Sequence, residues 1–354
     1  MSLTPHELPL WTEDLPAVGG AIGPELEDFV VDELPAYEPS GAGDHWYVRL
    51  EKRGMNTRDA ALAVARFTRI PERDIGYAGM KDRHGVTTQW LSVPARAPAP
   101  ETWTLPEGVK LVGVSRHNNK LRTGHLRGNR FKIGLVNTEP DGAARARALF
   151  GRLVERGHVN YFGSQRFGRD GRNVADAVAW LTGRTPLPRG RERFLSKLYT
   201  SALQSEIFNR YATRRVTAGL ERLLAGEVVR LQGAGASFVV EDVEREMPRY
   251  GARDLCLTGP MPGPKMRAGK ADAAQLEADV LAELELTGDA LSELGRHAPG
   301  TRRDLLARPE AWAVNEDPAA KRLRLEFDLP SGSYATVLVR ELTRAIEPGP
   351  RSDG

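Results

Sequence analysis

The alternation of apolar and polar positions is sharpest near the end of the chain, where Leu323, Leu325, Phe327 and Leu329 alternate with Arg324, Glu326 and Asp328. Period-two spacing of this kind predicts a half-buried strand. It leads through Pro330, Ser331 and Gly332 into a helical pattern over residues 334–345. Near the start, an irregular arm reaches to Gly23, after which Phe29, Val30 and Val31 open a strand and residues 35–44 are turn-rich. Asn56 is placed to cap a helix bearing Ala61, Val64, Ala65 and Phe67 on one face, with Pro71 marking its end. Two short apolar runs, 75–80 and 90–93, flank the polar segment 81–89, and the three read as strand, loop, strand.

Helical spacing recurs over residues 141–156, with Gly157 as a stop. Residues 160–168 mix aromatics, amides and glycines without a period, and a further helix runs to Leu181. The Gly-, Pro- and Arg-rich stretch 182–193 is the predicted domain boundary. Beyond it come a helical section over 194–224, a strand over 238–240, a Pro/Gly-rich loop over 259–269 and a helix over 271–286. Residues 347–354 read as disordered.

Composition narrows the class. At 354 residues, 40% hydrophobic and 27% charged, the chain is expected to form about two soluble domains. The lone Cys256 excludes an intramolecular disulfide and a cysteine-rich zinc site, which fits a cytoplasmic protein. No apolar run approaches the roughly 20 residues that span a bilayer, and the first residues lack a secretory pattern. Net charge is only +3, but residues 108–138 contain no Asp or Glu while carrying Lys110, Arg116, Lys120, Arg122, Arg127, Arg130 and Lys132. Such a stretch can follow a nucleic-acid phosphate backbone, or it can be a solvated basic surface.

Candidate chemistry is sparse. There is no phosphate-binding Gly-rich loop, dinucleotide fingerprint, HExxH or nucleophile elbow. His117 and His125 lack obvious partners and read as RNA-facing or exposed rather than as metal ligands, and no metal is expected. Asp82 lies between Lys81 and Arg83 in a loop that Gly79 and Gly85 allow to bend. Flanking cations are expected to depress its pKa and keep it ionised as a nucleophile or base. The same triplet also suits a turn aspartate in a local salt bridge.

Longer words bear on that choice. The segment Gly79-Met80-Lys81-Asp82-Arg83-His84-Gly85-Val86-Thr87-Thr88-Gln89-Trp90 resembles the signature of the TruD family of tRNA pseudouridine synthases. Asp28-Phe29-Val30-Val31-Asp32-Glu33 resembles the family's opening motif, and Asn160-Tyr161-Phe162-Gly163-Ser164-Gln165-Arg166-Phe167-Gly168 its second signature. Leu329-Pro330-Ser331-Gly332-Ser333-Tyr334-Ala335-Thr336, with Val339-Arg340-Glu341-Leu342, resembles its last. The resemblance implies isomerisation of uridine to pseudouridine in tRNA, at uridine 13, without a cofactor. It places Asp82 at the catalytic position, and Phe29, Asn160 and Tyr334 at positions that contact the target uridine. Tyr334 replaces a frequent Phe, Gly23 stands where members often carry a Lys, and Gly85 stands where Ala is frequent, which should loosen the loop slightly.

The reaction breaks the N1 glycosidic bond, turns the uracil and rejoins it through C5. A carboxylate can serve by attacking C1′, by removing a sugar proton to give a glycal, or by attacking C6. Lys81, Arg83 and Arg166 are candidate cations beside it. A base taken out of its stack needs aromatic surfaces and an amide at its edge, which Phe29, Phe162, Tyr334 and Asn160 can supply. Phe162 can equally be core. Gln89 is expected to support the loop, and Arg116, Lys120, Arg122, Arg127, Arg130 and Lys132 to meet the RNA backbone. The expected architecture is α/β (α+β). A pseudouridine synthase catalytic domain with a mixed, largely antiparallel sheet covers residues 1–185 and 310–354, with an inserted, mostly helical TRUD domain over 186–309. The expected partner is tRNA, with no membrane, no protein partner and a monomeric state. An N-glycosylase and a non-catalytic RNA-binding protein are the rival classes.

Overall fold

A computed structural model describes residue 3 and residues 7–168, 171–286 and 288–345; the segment 347–354, expected to be disordered, lies outside them. The first part contains β1 (Ala21–Ile22), β2 (Phe29–Pro35), β3 (His45–Arg53), α1 (Thr57–Thr68), β4 (Gly76–Tyr77) and β5 (Val86–Pro94). There follow β6 (Val109–His117), β7 (Leu126–Val136), α2 (Gly142–Arg156), β8 (His158–Val159) and α3 (Arg172–Leu181). The middle holds α4 (Glu192–Ala218), β9 (Val228–Leu231), β10 (Ser237–Val239), α5 (Val243–Gly251), β11 (Leu255–Met261), α6 (Ala271–Glu283), α7 (Asp289–His297), β12 (Thr301–Asp304) and β13 (Leu306–Ala307). The chain closes with β14 (Glu310–Asp317), β15 (Arg322–Pro330) and α8 (Ala335–Thr343).

The large sheet has nine strands in the order β14-β15-β7-β2-β5-β3-β6, with β1 on β7 and β4 on β5. The seam between β2 and β5 is parallel, while the other pairings are antiparallel, so the sheet is mixed and largely antiparallel. The alternating segment of β15 sets Leu323, Leu325 and Phe327 beside Leu135, Ile133 and Phe131 of β7. These side chains share a core with Val31, α2 and α8. On the other flank, Val48, Leu50, Leu91 and Val93 pack with Ala61 and Val64 of α1. The register pairs Val31 with Thr87, and residues paired this way point to the same side. Both helical layers therefore cover one face of the sheet, on either side of the β2/β5 seam.

A second core joins α3, α4 and the four-stranded sheet β10-β9-β11-β12. Helix α3, which precedes the expected boundary at 185/186, packs here through Val174, Ala177 and Leu181. The start of the chain straps α8: buried Glu341 accepts hydrogen bonds from Trp11 N (2.9 Å), Thr12 N (3.2 Å) and Thr12 Oγ1 (2.8 Å).

Two local expectations change. Strand β5 begins at Val86, not at Trp90, because pairing to β2 and β3 on both sides absorbs a polar but β-branched run. Strand β11 extends through Gly259 and Pro260 to Met261, inside the expected loop over 259–269. Residues 258–261 pair with β12 alone, so the missing N–H of Pro260 faces no partner strand. A side chain at Gly259 would collide with Phe208, its Cβ 2.8 Å from the ring.

Candidate active site

The loop carrying Asp82 lies at the β2/β5 seam, between the two helical layers, and is fastened by polar contacts. Asn56 caps α1 by accepting from Asp59 N (2.9 Å), which fixes Thr57 at the helix start. The Thr57 hydroxyl accepts from Lys81 N (2.7 Å) and donates to Gln89 Oε1 (2.8 Å). The Gln89 amide in turn donates to Gly79 O (3.2 Å). Gln89 thus holds both the loop's entry and, through Thr57, its centre. Lys81 Nζ donates to Glu33 Oε2 (2.7 Å), and Trp90 N donates to Glu33 Oε1 (3.2 Å). Gly85 does not loosen the loop. A Cβ there would lie 2.3 Å from Phe29 O and 3.2 Å from Phe29 Cδ1, so the loop's exit is pressed onto the residue expected to receive the base.

Asp82 is an exposed residue, yet the protein around it strips water from its carboxyl. Desolvation is the leading influence and raises its pKa above the ordinary aspartate value; His84, Lys52 and Lys81 pull the other way. This reverses the expectation that flanking cations depress it, because local sequence shows the charges but not the loss of water. Of these cations Lys81 was expected, whereas His84 and Lys52 were not. Arg83 Nε donates to Gly54 O (3.3 Å). Lys52, unremarked in the sequence, is fully buried below the loop, donating to Thr87 Oγ1 (2.6 Å) and Met55 O (3.2 Å). Burial pushes the Lys52 ammonium down to about 8. The signal for it was available: Val48, Leu50 and Lys52 share one strand face, so a lysine falls at an apolar position.

The other predicted residues form a second cluster, organised by a side chain that sequence reasoning missed. Arg303 of β12 donates to Asn160 Oδ1 (2.8 Å), Asn160 O (2.9 Å) and Gly332 O (2.9 Å). Its guanidinium also lies 4.1 Å from the centre of the Phe162 ring. The Asn160 amide donates to Asp304 O (3.1 Å), so one lone pair and one N–H of this buried side chain are already used. Phe162 meets Tyr334 edge-on at 5.9 Å and Phe208 at 5.6 Å, making it core and wall at once. Arg166 lies 5.7 Å over Phe162 and donates to Ser205 and Ser201, in this cluster and not among the cations that act on Asp82. Tyr334 occupies the N-cap position of α8 without a capping hydrogen bond from its side chain, and Ala335 beside it shares the core that Phe29 packs against.

The basic stretch splits. Arg116 stacks 4.3 Å over Trp46 and donates to Gly43 O, and Lys120 donates to Arg73 O. Arg130 pairs with Asp328 (2.7 Å) and Lys132 with Glu326 (3.9 Å), on the face opposite Phe131 and Ile133. Arg122 and Arg127 are exposed, and neither side chain makes a hydrogen bond or ion pair among the described residues. Among the described residues, no three His, Cys, Asp or Glu side chains gather as a metal site requires, and no helix is long and apolar enough to cross a membrane.

Known proteins resemble this chain over nearly its whole length. The tRNA pseudouridine synthase D (TruD) family model matches residues 6–179 and 191–342. The tRNA pseudouridine synthase D of Anaeromyxobacter dehalogenans strain 2CP-C is 44% identical over 355 residues, 98% of this chain and 99% of its own length. The protein of that name from Thermus thermophilus is 38% identical over 347 residues, 96% of this chain and 93% of its own. A Methanosarcina mazei protein solved under the name TruD has the same fold, with a TM-score of 0.69 at 23% identity over 97% of this chain and 98% of that one. The fastened Asp82 loop, the aromatic cluster at Tyr334 and these matches lead to one assignment: the chain belongs to the tRNA pseudouridine synthase D (TruD) family.

Proposed function

We propose that the chain isomerises uridine to pseudouridine in tRNA, at uridine 13, with Asp82 as nucleophile or base. The observation that carries this reading is the placement of Asp82: an exposed residue on a loop tied down at Gly79 and Lys81, whose exit at Gly85 presses onto Phe29. A target base drawn out of its stack finds an aromatic surface in Phe29, and a second wall in Tyr334 and Phe162. Asn160, held by Arg303, keeps one N–H and one lone pair for the uracil edge. Asp82 acts on the sugar at C1′ or on its neighbouring proton, or on the base at C6. The N1–C1′ bond breaks, the uracil turns, a C5–C1′ bond forms, and the C5 hydrogen leaves as a proton.

Composition and oxidation state do not change, so the isomerisation calls for no redox or phosphoryl donor. A depleted hydration shell makes the carboxylate a stronger base and nucleophile, while His84, Lys52 and Lys81 offset part of that shift. The division into a catalytic unit of residues 1–185 and 310–354 and an inserted unit of 186–309 belongs to the same proposal.

The test is to incubate tRNA transcripts with the protein and with Asp82→Asn, then map pseudouridine by carbodiimide-blocked primer extension. The expected result is a stop at position 13 with the intact protein and none with the variant. No stop, or an equal stop with Asp82→Asn, would overturn the reading. Release of free uracil would identify an N-glycosylase instead, and binding without either product a non-catalytic RNA-binding protein.

A further inference from the structure

A second recess opens beside the end of β2, on the sheet face turned away from α1. Tyr47 and His117 lie on this face: His45 pairs with His117 in register, and Val48 and Leu50 alternate with them toward α1. The recess is a cavity of about 420 Å³ lined by Tyr37, His117, Asn119, Lys120, Arg122 and His125, within the size range of small-ligand sites. A narrower recess adjoins it, lined by Glu33, Tyr37, Trp90 and His125 among others. Glu33 also accepts the Lys81 ammonium, so one carboxylate stands between this cavity and the loop that carries Asp82.

Its walls combine flat rings with cations. Tyr37 stacks on His117 with centroids 5.1 Å apart and an interplanar angle of 22°, and meets His125 edge-on at 5.9 Å. The rings are held in place: the Tyr37 hydroxyl bonds His125 Nδ1 (3.0 Å), Ser40 N donates to His117 Nδ1 (3.2 Å), and the Tyr47 hydroxyl donates to Asn119 O (3.0 Å). Lys120 spends one N–H on Arg73 O and retains two. Arg122 is exposed. Glu38 also lines the cavity, which disfavours a highly charged free polyphosphate but leaves net positive charge for a single phosphodiester.

We propose that this recess holds a second unpaired nucleotide of the RNA substrate, its base against the Tyr37–His117–His125 wall and its phosphate on Lys120 and Arg122. Aromatic rings flanked by cations are how single-stranded nucleotides are held, and the Asn119 amide can pair with a base edge. The inference rests on the RNA-directed reading above and adds a second anchoring point, one that positions the strand while Asp82 acts on the target.

The experiment measures affinity in Asp82→Asn protein, by fluorescence anisotropy with tRNA transcripts carrying one abasic nucleotide at a time. Tyr37→Ala should weaken binding about tenfold. One abasic position should cost as much, and on that RNA Tyr37→Ala should add nothing. Arg122→Gln, at an exposed position that the fold tolerates, should lower the slope of log affinity against log salt by about 0.7–0.9; Arg245→Gln on α5 should not. Unchanged affinity in both recess variants, or Tyr37→Ala adding its full cost at every abasic position, would overturn the proposal. The two readings fail separately. Loss of the coupling with normal pseudouridine formation by the intact protein rejects the recess alone. Coupling without pseudouridine rejects the catalytic reading alone.

Discussion

Lys81 and Glu33 form a 2.7 Å ion pair with side chains only 5% and 1% exposed, so the lysine next to Asp82 in sequence is committed to a different carboxylate. Breaking a buried pair leaves an uncompensated charge, at a cost of about 3–5 kcal/mol. Lys81→Met should lose that much in urea unfolding. Adding Glu33→Gln, which keeps an acceptor for Trp90 N, should recover a substantial part. A loss under about 1 kcal/mol, the scale of exposed pairs, would show that the bridge is not what fastens the loop.

Asp82 should be a liability to the fold that its chemistry requires. Its folded pKa is raised above the unfolded value by desolvation, so the ionised carboxylate weighs against folding at neutral pH. That cost fades as pH falls through the raised pKa and is gone below the unfolded value of about 3.9. Asp82→Asn should therefore abolish pseudouridine formation and raise the melting temperature at pH 7, with the gap closing in acid. A melting temperature below that of the intact protein at pH 7 would contradict this.

The acid limb of the single-turnover rate should lie above the ordinary aspartate value of about 4. His84 and Lys52 both draw the Asp82 pKa downward, so His84→Ala or Lys52→Met should move the limb to higher pH. The plateau rate should change less. A limb that stays in place in both variants would exclude their charges as the controlling field.

Arg303 reaches Asn160, Gly332 and the face of Phe162 at once. A lysine keeps the charge but not the fork. Arg303→Lys should lower kcat/KM on the order of 10–100-fold, the scale of ångström-level misplacement, with most of the far-ultraviolet signal and melting temperature retained. The assay is hydrogen release from C5-tritiated tRNA. Rates within twofold of the intact protein would show that Asn160 and Tyr334 are placed without it.

Local signals were the legible ones. The alternation from Leu323 to Leu329 identified β15, and Asn56 identified the start of α1, because both depend on neighbours a few residues away. Lys52 depends on Thr87, Glu33 and Asp82, which only the assembled sheet brings near. Arg303 sits in a short strand whose partners, Asn160 and Gly332, lie far off in sequence. The direction of the Asp82 shift failed for the same reason: charges are printed in the sequence, whereas desolvation belongs to the fold. The ion pairs of Arg130 and Lys132 were hidden likewise, since Asp328 and Glu326 arrive from the other end of the chain.

The strap across α8 bears on how this protein can be handled. Trp11 and Thr12 supply the donors that solvate Glu341, a carboxylate only 2% exposed and raised in pKa by burial. Two turns before Glu341, at the capping position of the same helix, stands Tyr334. Trimming the chain to Leu15 would strip those donors and loosen the helix that aims the ring. The beginning of the chain is therefore a poor place for a cut, however featureless its sequence.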